Sequence, residues 1–298
     1  MRDHSPFRQP ATPDSYYGRP VVKAAVWSPV DIGGYLFLGG LAGASSVLAA
    51  GADLTGRPVL ARAGKIAALG AISASAAALV HDLGRPARFV NMLRVLKPTS
   101  PMSVGSWLLA GYGPAAGVAA ATSVTGLFPG VGRAATVGAA LLGPAVASYT
   151  AVLISDTATP AWHGGYREMP FVFVGSAAAA AAGLGMITAG PAEAGPARRA
   201  AVFGAALETV AMHRMRSSLG MIAETHHQGA AGKLLKAAEV LTIGGAVTGA
   251  VLGRRSRLAA AVAGAALLAG SVCTRLGVFQ AGVQSAEDPK YTVTPQKS

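Results

Sequence analysis

Two groups of titratable side chains stand where proton chemistry would use them. His81 and Asp82 end an apolar run that begins near Gly64, so an imidazole and a carboxylate meet where a helix would leave a membrane. Histidine titrates near neutral pH, and a neighbouring carboxylate can orient the ring or take its proton. The pentapeptide Asp82-Leu83-Gly84-Arg85-Pro86 also has a purely local reading. In it the Asp accepts backbone N–H bonds, the Gly takes an unusual dihedral, and the Pro opens a helix. The second group lies farther along. Glu208 sits inside an otherwise largely apolar stretch, His213 follows about a turn and a half later, and Glu239 is placed to face them from the next stretch. A carboxyl group at such a depth is costly unless it is neutral, paired or reached by water. Glu208, His213 and Glu239 therefore mark either a proton path or a helix-locking hydrogen-bond network, the second being the preferred reading.

Other residue types narrow the chemistry. Arg85, Arg88, Arg94 and Lys97 crowd the segment after His81, as a headgroup-facing or partner-facing surface would require. Glu224 with His226 and His227 has ligand-type side chains, but two adjacent loop histidines are ordinarily solvated and no further ligands stand nearby, so no metal site is expected. The single cysteine, Cys273, excludes an internal disulfide and any iron–sulfur cluster held by several thiolates of this chain. A haem would need histidines facing each other from helix interiors, whereas His81 and His213 both lie towards helix ends.

The elements that must position these groups are membrane helices. Of the 298 residues, 52% are hydrophobic and only 13% charged, too little charge to clothe a soluble surface of this size. Runs long enough to cross about 30 Å of hydrocarbon recur. The expected spans are 31–52, 64–80, one between 103 and 129, 134–154, 171–189, 199–219, 233–252 and 258–276. Both ends then lie on one side. Trp27 and Tyr35 suit an interface, and the polar segment before Trp27 lacks the apolar core of a secretory signal, so the first helix is expected to direct insertion. Between spans two and three, Pro86 opens a short amphipathic helix with Phe89, Leu93 and Leu96 on one face. The runs are rich in Ala and Gly, which favours close helix packing. The formal charge of +12 falls mostly in the connections, as snorkelling and topology-setting residues do, and argues for membrane lipids rather than nucleic acid as partners. Its distribution leaves orientation undecided. The fold class is thus an all-α integral membrane protein with eight transmembrane helices.

The stretch HDLGRPARFVNMLRVLKPTSPMSVGSW, from His81 to Trp107, resembles the NrfD family, the membrane subunits of polysulfide-reductase-like complexes. DLGRP, RF, NMLRV and KPTSPMS occur in unbroken order. The likeness extends to YLFLGGLAG at 35–43, YTAVLISDTATPAW at 149–162 and SAEDPKYTV at 285–293, nearly the whole chain.

The resemblance implies two four-helix bundles without haem or an iron–sulfur cluster of their own. A polar segment, 1–26, would precede a first bundle, 27–156, whose 81–102 loop faces the partner. A second bundle, 157–276, and a tail, 277–298, would follow. The implied function is a quinone-binding membrane subunit of a respiratory oxidoreductase, in the cytoplasmic membrane of a prokaryote and not catalytic alone. It would exchange electrons between menaquinone or ubiquinone and a four-cluster ferredoxin-type subunit, with a molybdopterin-type subunit handling the other substrate. Quinone chemistry moves two electrons and two protons, so the implied quinone-binding residues are His81, Asp82, Tyr35, Tyr149 and Asp31, the last also a plausible helix cap. The basic loop would dock the iron–sulfur subunit. Two competing readings are a passive anchor and an ion- or proton-translocating module using Glu208 and Glu239.

Overall fold

A computed structural model describes residues 22, 29–82 and 91–293, and of Pro29, Val30 and Asp82 the backbone only. Trp27, Arg85, Arg88, Phe89, the Asp82 side chain and most of the expected amphipathic helix fall outside the described residues. Eight long helices occur among those described: α1 Pro29–Leu54, α2 Pro58–Asp82, α3 Pro101–Thr125, α4 Pro129–Ser155, α5 Met169–Thr188, α6 Gly195–Leu219, α7 Gly229–Val251 and α8 Arg257–Glu287. Short helices Pro160–Gly164 and Lys290–Val293 and a 3-10 helix, Gly220–His226, also occur among the described residues.

The boundaries follow local chemistry. Proline opens α1 to α4, where its missing N–H costs nothing because the first N–H groups of a helix lack intrahelical acceptors. Ser100 caps α3 by accepting from the Ser103 N–H, and Ser256 caps α8 by accepting from the Ala259 N–H. Gly126, at φ 73°, ends α3 in a left-handed turn whose N–H reaches the Thr122 carbonyl. At α2 the cap comes from far away in sequence: the Glu193 carboxylate accepts from Val59 N at 2.9 Å and Leu60 N at 3.1 Å.

Six of the eight long helices are long and apolar enough to cross a membrane. The other two are α3, loaded with Gly, Ser, Thr and Pro, and α6, which carries Arg198, Arg199, Glu208, His213, Arg214 and Arg216. Large apolar side chains such as Leu141, Phe203, Val240 and Leu258 point outward, the arrangement expected where the surrounding solvent is lipid. The chain is a multi-pass, all-α membrane protein.

Packing is built on α1 and α5. Helix α1 lies along α2 and α4, and α3 packs on α2 and α4; α5 lies along α6 and α8, and α7 packs on α6 and α8. Contacts of α1 and α4 with α5 join the two sets. Small residues permit the closest approaches. Gly43 of α1 meets Gly143 of α4, Gly183 of α5 meets Gly264 of α8, and Gly175 of α5 meets Gly204 of α6, each so tightly that a methyl group would strike the facing backbone.

One boundary departs clearly from hydropathy. Helix α8 does not stop near Leu276 but continues through residues expected to be tail, reaching Glu287. Its 31 residues span about 46 Å at 1.5 Å per residue, more than the hydrocarbon thickness. Arg275 is consequently well inside the helix, not at its end.

Candidate functional site

The first cluster sits where the beginning of α1 meets the end of α2. Asp31, in the first turn of α1, places Oδ2 3.4 Å from Nδ1 of His81 in the last turn of α2. The His81 side chain is 78% exposed among the described residues. The carboxylate nearest Nδ1 among the described residues thus comes from another helix.

The tyrosines come from α1, one turn after Asp31, and from α4. Tyr35 is buried to 2% against Ile32, Leu36 and Ile154, deeper than an interfacial residue, and the Ser75 hydroxyl donates to its carbonyl at 3.2 Å. Tyr149 of α4 is half-buried and close enough for its hydroxyl to interact electrostatically with that of Tyr35. Its ring rests on the bare backbone of Gly105 in α3, where a methyl group would overlap it. Gly105 belongs to the KPTSPMSVGSW stretch, and its part in seating Tyr149 has no signal in the sequence beyond the glycine itself.

The basic segment is partly described. Arg94 and Lys97 are exposed, together with Val95 and Leu96 between them. The Ser103 hydroxyl pins this strip by accepting from Lys97 N at 2.9 Å and donating to the Val95 carbonyl at 2.9 Å.

The second cluster lies inside the α5–α8 half. Glu208 is 6% exposed; its Oε1 accepts from the Thr274 hydroxyl at 2.5 Å, while its Oε2 has no hydrogen-bond partner among the described residues. It forms part of the wall of a cavity of about 330 Å³. His213, Arg216 and Glu239 line the same cavity, Arg216 reaching Glu239 at 3.5 Å. The three acid and histidine residues singled out in sequence thus share one space.

Arg275 was not singled out, because hydropathy ended the last span beside it. It is fully buried, donates from Nη2 to the Phe173 carbonyl at 2.8 Å, and stacks its guanidinium 3.8 Å from the centre of the Phe173 ring. Its charge acts on Glu208. Gly40 of α1 makes room for it: a Cβ there would lie 2.9 Å from Nη2. The signal was present, since Leu-Gly-Val-Phe continues the apolar run past the arginine.

A family model described as "Polysulphide reductase, NrfD" matches residues 21–222. The chain belongs to the NrfD family. Membership makes it a membrane subunit of the polysulphide-reductase type. No curated protein matches the chain. The matched residues carry Asp31, Tyr35, His81, Tyr149 and Glu208, whereas Glu239 and Arg275 lie beyond them. Among the described residues no group of three or more His, Cys, Asp or Glu is arranged to hold a metal ion.

Two segments that carry the resemblance to the family, 149–162 and 285–293, meet in this NrfD chain, and the end of α8 packs with the first of them. Trp162 lies over Gly282, donates from Nε1 to the Val278 carbonyl at 2.9 Å, and meets the Phe279 ring at 5.4 Å. Ser285 accepts from Ala161 N at 3.1 Å. Lys290 reaches Glu224 at 2.6 Å, an exposed pair in which the ammonium holds the carboxyl below its usual range.

His226 corrects the expectation of solvated loop histidines: it is buried to 2%, and only His227 is exposed. Burial first, then the Arg216 and His227 charges, push its pKa down to about 4. Unfolded, the ring would titrate near about 6.5. Its folded pKa is depressed, so the neutral ring is favoured in the fold and the unfolded chain binds the extra proton. Stability is therefore full above about pH 6.5 and falls as pH drops towards about 4, by up to about 1.4 kcal/mol per unit. Thermal unfolding in detergent is expected to shift downward over that window in the parent chain and to shift distinctly less in His226→Gln. Equal slopes would show that His226 is not the group responsible.

Proposed function

We propose that this NrfD chain binds quinone at the Asp31–His81 end of α1 and α2 and exchanges electrons between the quinone pool and an iron–sulfur partner. The observation that carries the reading is the geometry of His81. Asp31 lies against Nδ1, which leaves Nε2 to donate to, or accept from, a quinone oxygen, while Tyr35 follows Asp31 by one turn on α1 and Tyr149 neighbours Tyr35 from α4. Bound quinone would supply the two-electron, two-proton chemistry. Asp82, next to His81, belongs to the same proposal through its position. The chain's own part is to hold the ring near the partner's cluster and to manage its protons.

In this reading all eight long helices cross the cytoplasmic membrane of a prokaryote as two four-helix bundles. The first comprises 27–156; the second begins at 157 and includes α8 to its end at Glu287. The exposed strip of Arg94, Val95, Leu96 and Lys97, with Arg85 and Arg88, docks a four-cluster ferredoxin-type subunit through charge and a small apolar contact. A molybdopterin-type subunit completes the complex. The quinone is menaquinone or ubiquinone.

A photoreactive quinone analogue, added to the intact complex, is expected to label peptides from the start of α1, the end of α2 and the end of α4. Asp31→Ala should reduce that labelling severalfold by freeing the ring it orients. Labelling confined to other helices, in a complex of proven activity, would defeat the assignment.

The Glu208 cavity favours a second reading for the other half. A buried carboxyl group with one oxygen lacking a partner among the described residues, on the wall of a cavity lined by His213, Arg216 and Glu239, is suited to receive protons through water. The bond from Thr274 fits the helix-locking role, and the two roles are compatible. We propose Glu208, His213 and Glu239 as a proton path serving the quinone reaction.

A further inference from the structure

We propose that the groove between α1, α4, α5 and α6 binds an anionic phospholipid, one acyl chain lying in the groove and the phosphate held by Arg198, Arg199 and Arg254. The groove has a volume of about 500 Å³ and runs along α1 from Ala44 to Thr55, with Pro144 of α4, Ala178 of α5 and Phe203 of α6 among its walls. Eleven residues of helix cover about 17 Å, close to the ~15 Å of one leaflet's hydrocarbon. Its walls are apolar almost throughout, and at the end near Thr55 it meets Arg199.

Arg199 belongs to a second hollow as well. With Arg198 and Arg254 it lines a space of about 520 Å³ over Val202 and Ala250. Arg57, Arg199 and Arg254 all lie close enough to Arg198 for their charges to repel. Fixed contacts hold two of these side chains there: Arg57 donates to the Ala192 carbonyl at 2.8 Å and Arg198 to the Pro191 carbonyl at 3.0 Å.

Nearby acids do not neutralise the cluster. Glu193 gives its Oε2 to the first N–H groups of α2, and Asp53 is engaged by Lys65 at 2.6 Å. Among the described residues none of Arg198, Arg199 and Arg254 pairs with an acid. Arg199 and Arg254 are exposed and therefore reachable. A row of uncompensated guanidinium groups at the mouth of an apolar slot, one leaflet deep, fits a phosphate diester joined to a hydrocarbon chain. A headgroup that adds a positive charge beside the phosphate would be repelled by the same arginines. The occupant is therefore anionic, of the phosphatidylglycerol or cardiolipin type. The site lies at the membrane end opposite Asp31 and His81, and does not depend on quinone chemistry.

The test uses the purified full-length chain in mild detergent, with thermal stabilisation and retained lipid as readouts. Phosphatidylglycerol is expected to stabilise the chain at concentrations where phosphatidylcholine and inorganic phosphate do not. Arg199→Gln/Arg254→Gln, confined to exposed side chains, should weaken that response at least about tenfold. Ala178→Leu, which fills the groove and keeps the arginines, should weaken it as well and lower the anionic lipid retained through purification. Equal stabilisation by phosphatidylcholine would overturn the headgroup assignment, and equal stabilisation by phosphate would reduce the site to an anion hollow without a lipid. Unchanged responses in both variants would overturn the proposal. Should either variant fail to fold, the comparison of the three added compounds on the parent chain still decides it.

Discussion

Arg275→Met is expected to lower the unfolding free energy by about 3–5 kcal/mol, the range seen when one of two compensating buried charges is removed and the other remains. The guanidinium is fully buried, its Nη2 bonds the Phe173 carbonyl, and its positive charge is the compensation available to Glu208. Methionine fills similar volume, so the loss is electrostatic and not a cavity effect. Glu208 would then keep the Thr274 hydroxyl and lose the charge. The double variant Glu208→Gln/Arg275→Met should recover a substantial part of the loss, because no uncompensated charge stays behind. Unfolding of the parent and both variants in detergent measures both values. An Arg275→Met chain as stable as the parent would show that Glu208 does not depend on the arginine.

The second large effect concerns turnover. His81→Ala in the assembled complex is expected to lower quinone-linked electron transfer about a hundredfold, the lower end of the range for losing a positioned acid or base. Its side chain is largely exposed among the described residues, so expression and assembly should hold. Gly105→Ala tests the same site from the side of shape. A methyl group there displaces the Tyr149 ring, and the expected result is a raised KM for quinone with a smaller change in kcat. A passive anchor would leave both variants at parental turnover, and that outcome would favour the competing reading over ours.

The two variants also show what kind of information each position carries. His81 was recognisable because an imidazole at the end of an apolar run is chemically conspicuous. Gly105 was not, since a glycine in a membrane helix has many uses, and only the Tyr149 ring lying against it identifies one. The contact of Asp31 with Nδ1 of His81 has the same origin. Neighbours in sequence are evident from the chain, whereas the start of α1 reaches the end of α2 only after both helices have packed.

Arg275 and His226 were missed for related reasons. A positive charge followed shortly by apolar residues reads equally as a span end or as a buried ion, and what separates the two is a carbonyl, an aromatic face and a carboxylate supplied by α5 and α6. His226 reads as a loop histidine until the 3-10 helix Gly220–His226 is folded against α7 and α8.

By itself the sequence determined the solvent, the all-helical class and the family, because burial in lipid imposes length and composition on each segment separately; of the eight spans expected from it, six are helices long and apolar enough to cross a membrane. It also marked Glu208, His213 and Glu239, since charge inside such a segment is costly wherever it lies. Only the tertiary structure decided which groups share a site. Asp31 with His81, Tyr149 on Gly105, Arg275 beside Glu208 and the arginines around one groove are all contacts between helices distant in sequence. Such contacts depend on crossings like Gly43–Gly143 and Gly175–Gly204, where the absence of a side chain sets how close two backbones come.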